Sequence, residues 1–226
     1  MPGMATSLSV VMLGASGAVG GQVVNALQAR PELEKLSLLN RRPLELARNA
    51  RLTQHVVNVM DPASYEALLP GHRHAICTLG VGQPSAMSKA EFIRIDKDAV
   101  LDFASACKRA GIAHFELLSA VGANPDSSSF YLRTKGELEK ALKALNFPHL
   151  SLFQPSMILT PINRYGLSQA LILALWPHLN PLLGGTWRKY RGIPVAALGA
   201  AMANQLLQDH QGLEVLQWDR FIALAN

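Results

Sequence analysis

Tyr131 and Lys135, in the run Tyr131-Leu132-Arg133-Thr134-Lys135, are the side chains best suited to acid–base chemistry. At this spacing on a helix they project from one face, about one turn apart. An ammonium held beside a phenol favours phenolate and brings a tyrosine toward useful proton transfer. Ser119 follows the apolar run Ala113–Leu118 and offers a hydroxyl that can hydrogen-bond a carbonyl or alcohol oxygen in the same pocket. Alone, each is ordinary: Tyr-x-x-x-Lys is common on amphipathic helices, and serines often end strands. Their joint placement on a strand and the helix after it is what points to a site. Gly136 lies inside that helix, where glycine costs about 1 kcal/mol against alanine, so close backbone packing is expected there.

The element that must position them is VVMLGASGAVGG, Val10–Gly21. An apolar strand stops at Gly14, Gly17 and Gly20 follow at equal spacing, and a helix runs from Val19 to Ala29. In a strand–turn–helix of this kind Gly14 permits the sharp turn and Gly17 lets backbone approach a pyrophosphate. Gly20 lets the helix pack close to the strand. Ser16, Ala18 and Val19 share the turn, whose free N–H groups and helix dipole favour phosphate. A second strand, Leu36–Leu39, ends in Asn40-Arg41-Arg42. An acid at this place would hold the ribose 2′-hydroxyl of NAD; arginines suit the 2′-phosphate of NADP, because a guanidinium pairs bidentately with phosphate oxygens.

The rest of the chain repeats the strand–helix alternation. A third strand over His55–Val59 leads to Asp61, which caps a helix over Pro62–Leu69 and lies within reach of an adenine amino group. A fourth strand, His74–Leu79, brings Leu79 and Gly80, with Gly82 beyond, to the middle of a bound dinucleotide. Ser88 and Glu91 form a capping box for a long helix to Arg109, with Phe92, Ile95, Ala99, Phe103 and Cys107 on one face. The fifth strand is Ala113–Leu118, the sixth Leu150–Gln154. Beyond Pro155 come an apolar helix at Gly166–Trp176, a basic aromatic loop at Pro181–Arg191 and a helix from Val195 to Gln208. A strand at Leu213–Leu216 and a terminal helical turn at Trp218–Leu224 close the chain. The expected fold is α/β: a Rossmann-like doubly wound parallel sheet of about six or seven strands with helices on both faces.

Composition narrows the function. The 226 residues fit a single domain spanning 1–226, in which 156–226 supply a small substrate-side cap. Hydrophobic residues make up 49% and charged residues 16%, enough for a full core and too little charge for disorder. The net charge of +5 is not gathered into a stripe with interleaved aromatics, which argues against nucleic-acid binding. No apolar run reaches the ~20 residues of a membrane span, and the start of the chain lacks a secretory signal pattern. Two unpaired cysteines, Cys77 and Cys107, fit a reducing, cytoplasmic setting. His72 and His74 form an H-x-H pair with no third ligand nearby, so no metal site is expected.

The segments GASGAVG, NRR, CTLG, FIRIDKDAVLDFASACKRAGIAHFELLSAVGA and YLRTKGELE together resemble the short-chain dehydrogenase/reductase superfamily, specifically its atypical members. The resemblance extends over nearly the whole chain and thins after about Pro161. It implies an NADP(H)-binding Rossmann fold with Ser119, Tyr131 and Lys135 as a catalytic trio. Tyr131 would be the general acid/base, Ser119 would orient the reacting oxygen, and Lys135 would tune the tyrosine and hold the nicotinamide ribose. The loop at Pro155 would pass under the nicotinamide. Where typical members carry N-N-A-G after the fourth strand, this chain has Cys77-Thr78-Leu79-Gly80. The expectation is an NADP(H)-dependent oxidoreductase, monomer or homodimer, acting on a small carbonyl or alcohol. Two alternatives stand beside it: an NADP(H)-binding sensor with little turnover, and a nucleotide-sugar epimerase-like enzyme.

Overall fold

The computed structural model describes residues 7–47, 49–81, 87–160 and 183–226. Seven parallel strands form one sheet in the order β3-β2-β1-β4-β5-β6-β9. They are β1 (Leu8–Leu13), β2 (Leu33–Asn40), β3 (Leu52–Val56), β4 (His74–Cys77), β5 (His114–Leu118), β6 (His149–Phe153) and β9 (Gly212–Leu216). A short pair, β7 (Ile158–Leu159) and β8 (Ile193–Pro194), stands apart from the sheet. The helices are α1 (Ala18–Gln28), α2 (Lys89–Ile93), α3 (Ala99–Arg109), α4 (Phe130–Ala144), α5 (Val195–Gln205) and α6 (Trp218–Ala225). The strand order reverses direction at β1–β4, the place where a doubly wound sheet opens a ligand crevice at its carboxyl edge.

Every residue of β1 is buried, because helices cover both faces of a parallel sheet. Alternate residues feed two cores. Val10 and Met12 join α1, α5 and α6 in one; Val11 and Leu13 join α3 and α4 in the other. At Gly199 a Cβ would lie 2.5 Å from the Gln22 Cβ, so α5 lies close against α1. No helix among the described residues is long and apolar enough to cross a membrane. The apolar segment Gly166–Trp176 lies outside the described residues.

Three elements differ from the sequence expectation, each for a local reason. The third strand is Leu52–Val56, paired from Leu36↔Leu52 to Asn40↔Val56, rather than His55–Val59. Its partner ends at Asn40, so Val57 and Val59 leave the ladder and instead enter a core. The segment Pro62–Leu69 forms two short 3₁₀ turns, Pro62–Ser64 and Glu66–Leu68, divided at Tyr65. The Tyr65 ring is fully buried and meets Phe103 edge-on at 5.9 Å. The long helix after the Ser88–Glu91 capping box contains a π-turn, Arg94–Asp98, between α2 and α3. Such turns are rare and frequently lie at functional sites.

At the opposite end of the sheet, His74, His114 and His149 share one rung across β4, β5 and β6, with ring centroids 6.0 and 5.4 Å apart. His72 and His74 each have a polar partner: His72 contacts Ser37 Oγ at 2.9 Å and His74 the Ser9 carbonyl at 3.3 Å. Burial pushes His74 down to about 4 and His114 to about 3. Two rungs along β5, with Oε1 3.6 Å from His114 Nε2, Glu116 is fully buried without a hydrogen-bond partner, and burial raises its carboxyl well above the usual range. These shifts carry opposite signs in stability. Below pH ~6.5 the unfolded chain binds protons that the folded histidines refuse, so acid removes stability. Above pH ~4.5 the unfolded chain loses a proton that folded Glu116 keeps, so base removes stability. Between those values the effects oppose, and Glu116→Gln removes the compensating one. Urea denaturation from pH 6.5 to 4.5 should therefore show a steeper acid loss in Glu116→Gln than in wild type; equal slopes would contradict the assignment.

Candidate active site

The crevice at the carboxyl edge of the sheet is a cavity of about 330 Å³. It is lined by Gly17, Ala18 and Val19 of the glycine turn, by Leu79 and Gly80 after β4, and by Ser119, Tyr131 and Lys135. Thr78, Val81, Asp96, Leu118, Ser156, Ile158 and Thr160 complete it. Gly14 and Gly20 lie beneath the turn. Gly14 has φ +97°, and a Cβ there would sit 2.5 Å from the Leu79 nitrogen. A Cβ on Gly20 would run into the Gly14 carbonyl oxygen and sit 2.8 Å from Thr78 Oγ1. Thr78 Oγ1 donates to the Gly14 carbonyl at 3.0 Å, tying the turn to the end of β4. Gly17 begins α1 with no side-chain cap and no acid in the first turn. The cavity therefore receives a helix N-terminus whose N–H groups and partial positive charge are left for an anion, which is what a pyrophosphate requires.

Beside this turn a second depression of about 540 Å³ is lined by Ser16, Asn40, Arg41, Arg42, Pro43 and Leu44. Buried Asn40 leans on Gln54 at 3.4 Å, and Gln54 in turn holds the Leu44 backbone. Arg41 and Arg42 are exposed, and among the described residues neither pairs with a carboxylate. Besides Gly14 and Gly20, whose places in the turn are described above, two of the expected cofactor residues, Asp61 and Pro155, line neither depression. Asp61 is exposed and accepts the Ala63 N–H at 3.1 Å, serving as a cap. Pro155 is buried, and its carbonyl accepts the Val121 N–H at 2.9 Å. Gly82 lies outside the described residues.

Lys135 is only 3% exposed, yet it remains charged, because Asp96 Oδ1 sits 2.8 Å from its Nζ. Burial opposes the ammonium, but Asp96 and then Tyr131 hold its pKa above the usual lysine value. The other Asp96 oxygen accepts the Val81 N–H at 2.8 Å, so this carboxylate fixes both the lysine and the chain after β4. Gly80 makes room: a Cβ there would lie 3.2 Å from Asp96 Oδ1. Tyr131 opens on the cavity with Phe92 at 5.9 Å behind its ring. A Cβ on Gly136 would run into the Asn124–Pro125 peptide, so the loop after β5 packs directly on the α4 backbone.

Ser119 differs from the simplest expectation. Its hydroxyl donates to the Glu139 carboxylate at 2.5 Å rather than standing free toward the cavity. Gln154 Nε2 reaches both Glu139 oxygens, at 2.9 and 3.1 Å. Sequence reading missed both carboxylates, though each left a trace. Asp96 stands one helical repeat after Phe92 on a stripe that reaches Phe103, a charge at a core position. Glu139 continues the face that carries Tyr131 and Lys135 by one more turn.

Comparison with known proteins agrees with this geometry. A family model described as NAD(P)H-binding matches residues 14–156. The protein HTATIP2 of Rattus norvegicus is 32% identical over 212 residues, 92% of this chain and 86% of its own length. A protein of Lodderomyces elongisporus named FMP52, mitochondrial, is 34% identical over 161 residues, 68% of each chain. Among solved structures, MoeE5 in complex with UDP-glucuronic acid and NAD superposes with a TM-score of 0.71 at 16% identity, over 92% of this chain and 75% of that one. The Bordetella bronchiseptica enzyme WbmG in complex with NAD gives 0.69 at 12% identity, over 96% and 74%. The two structural likenesses establish the shared fold. With the glycine turn, the crevice and the family match in agreement, the chain belongs to the NAD(P)H-binding family and is a relative of HTATIP2.

Proposed function

We propose that the protein is an NADP(H)-dependent oxidoreductase of the atypical short-chain dehydrogenase/reductase type, exchanging hydride with a small carbonyl or alcohol. The observation that carries this reading is that one cavity joins the phosphate-suited turn Gly17–Val19 to Ser119, Tyr131 and Lys135. The preference for NADP(H) rests on Arg41 and Arg42, which flank Ser16 in the adjoining depression without a carboxylate partner among the described residues. Their guanidinium forks suit a 2′-phosphate, which NAD lacks.

In this reading the Gly14–Gly20 turn and the start of α1 hold the pyrophosphate, and Lys135, held charged by Asp96, takes the nicotinamide ribose. A nicotinamide held there supplies or accepts the hydride. Tyr131 gives a proton to the carbonyl oxygen during reduction or takes it from the alcohol during oxidation. Ser119 hydrogen-bonds the same oxygen once its hydroxyl turns from Glu139 toward the cavity. Ser156, Ile158 and Thr160 line the cavity from the chain beyond Pro155, in keeping with a substrate-side role for that region. Two buried, unpaired thiols suit a reducing compartment, and we place the protein in the cytoplasm.

The test is incubation with NADPH deuterated at the transferring carbon and a panel of aldehydes, ketones and quinones. Appearance of one deuterium on the reduced carbon of a product is the expected result. Tight NADPH binding with no deuterium transferred to any compound would favour a cofactor sensor instead.

A further inference from the structure

The loop after β2 brings Arg41 and Arg42 to the depression beside Ser16, yet it has no regular secondary structure of its own. Across 42–47 the hydrogen bonds among the described residues are two, and both join Leu44 to Gln54 of β3. Gln54 Oε1 accepts the Leu44 N–H at 2.8 Å, and its Nε2 donates to the Leu44 carbonyl at 2.9 Å. One side-chain amide thus satisfies both polar backbone groups of a loop residue, as a neighbouring strand would. The same oxygen accepts the amide of buried Asn40 at 3.4 Å, which ties the clamp to the last residue of β2. Gln54 is itself held in register opposite Leu38, in the middle of β3. It lines neither the crevice nor the depression. Leu44 and Leu46 also pack on the core, but apolar packing is non-directional and does not orient their peptide groups.

We propose that Gln54 is a positioning residue for cofactor choice: by clamping Leu44 it holds the arginine loop ready for a 2′-phosphate without touching the cofactor. This rests on the NADP(H) reading above. Arg41, Arg42 and Pro43 bridge two fixed points, Asn40 in β2 and the clamped Leu44. The proline ring fixes its own φ and restricts Arg42 before it, so little freedom is left between those points. A loose loop would let two like charges spread into water, and ordering them would become a cost of binding. With Leu44 clamped, much of that ordering is complete once the chain has folded, and a phosphate meets a prepared pair of guanidinium forks. A cofactor with a 2′-hydroxyl gains little from this arrangement. Gln54 therefore acts on NADPH affinity and leaves NADH affinity alone.

The test is calorimetric titration of the full chain with NADPH and with NADH, before and after Gln54→Met. Methionine keeps the length of the side chain and loses both hydrogen bonds. NADPH binding is expected to weaken about tenfold, the net worth of two hydrogen bonds, while NADH stays within about twofold. In the Arg41→Ala/Arg42→Ala background the same substitution should leave NADPH affinity unchanged, because the groups it positions are gone. Gln54→Leu serves in its place if Gln54→Met does not fold. A general structural role would weaken both cofactors equally. That result, or a preference for NADPH that survives Gln54→Met intact, would overturn the proposal. Equal affinity of the wild-type chain for the two cofactors is a distinct result, which would overturn the NADP(H) reading and this proposal with it.

Discussion

Replacing Asp96 with alanine is expected to destabilise the protein by about 3–5 kcal/mol, the cost of leaving a buried ion unpaired. The side chains of Asp96 and Lys135 are 1% and 4% exposed, and their 2.8 Å contact is the compensation for removing the ammonium from water. The same substitution deprives the Val81 N–H of its acceptor, so the chain after β4 loses its anchor as well. Lys135 would then deprotonate or draw water into the core, and either outcome disorders the cavity wall. Asp96→Asn keeps an oxygen acceptor without the charge and should cost less. Pairing Asp96→Leu with Lys135→Met removes both charges and should recover much of the stability while leaving the site without its ammonium. Urea denaturation of the four proteins checks this. A loss below about 1 kcal/mol in Asp96→Ala would mean that the pair is solvated and behaves as a surface ion pair.

Tyr131→Phe removes one oxygen from the site and is expected to lower kcat by about 10²–10⁴, the usual worth of a positioned acid–base group. Tyr131 is only partly buried and its recorded ring contact is with Phe92, so the fold and cofactor affinity should be unchanged. Turnover of whichever carbonyl the deuterium panel identifies, measured beside an NADPH titration of the same variant, separates the two quantities. A loss confined to NADPH affinity, with kcat intact, would assign Tyr131 to binding and leave the proton transfer without its residue.

Much of this architecture is legible in the sequence, because the features concerned are local. The run Val10–Leu13, the spaced Gly14, Gly17 and Gly20 and the Ser88–Glu91 capping box each carry their own stereochemical reason, and the structure has a strand, a turn and a cap at these places. The apposition of Gly136 with the Asn124–Pro125 peptide is foreshadowed by a glycine standing where a helix would favour alanine. What escapes is set by tertiary partners. The third strand shifts toward Leu52 because β2 decides where pairing starts, which alternation in His55–Val59 cannot reveal. Asp96 turns inward at a π-turn that periodicity does not signal, and its purpose becomes visible only when Lys135 arrives from α4. Ser119 reads as a free hydroxyl until folding brings Glu139 against it. Residue types thus indicate which chemistry is available, while the direction of each proton depends on packing.

The central claim is that this crevice holds NADP(H), with Arg41 and Arg42 recognising the 2′-phosphate. The most direct measurement is calorimetric titration of the purified chain with NADPH and with NADH. The account predicts NADPH at least about tenfold tighter, a difference of about 1.4 kcal/mol, and the preference should vanish in the Arg41→Ala/Arg42→Ala double variant. Equal affinity of the wild-type chain for the two cofactors would contradict the NADP(H) assignment, and failure to bind either would contradict the reading of the Gly14–Gly20 turn itself.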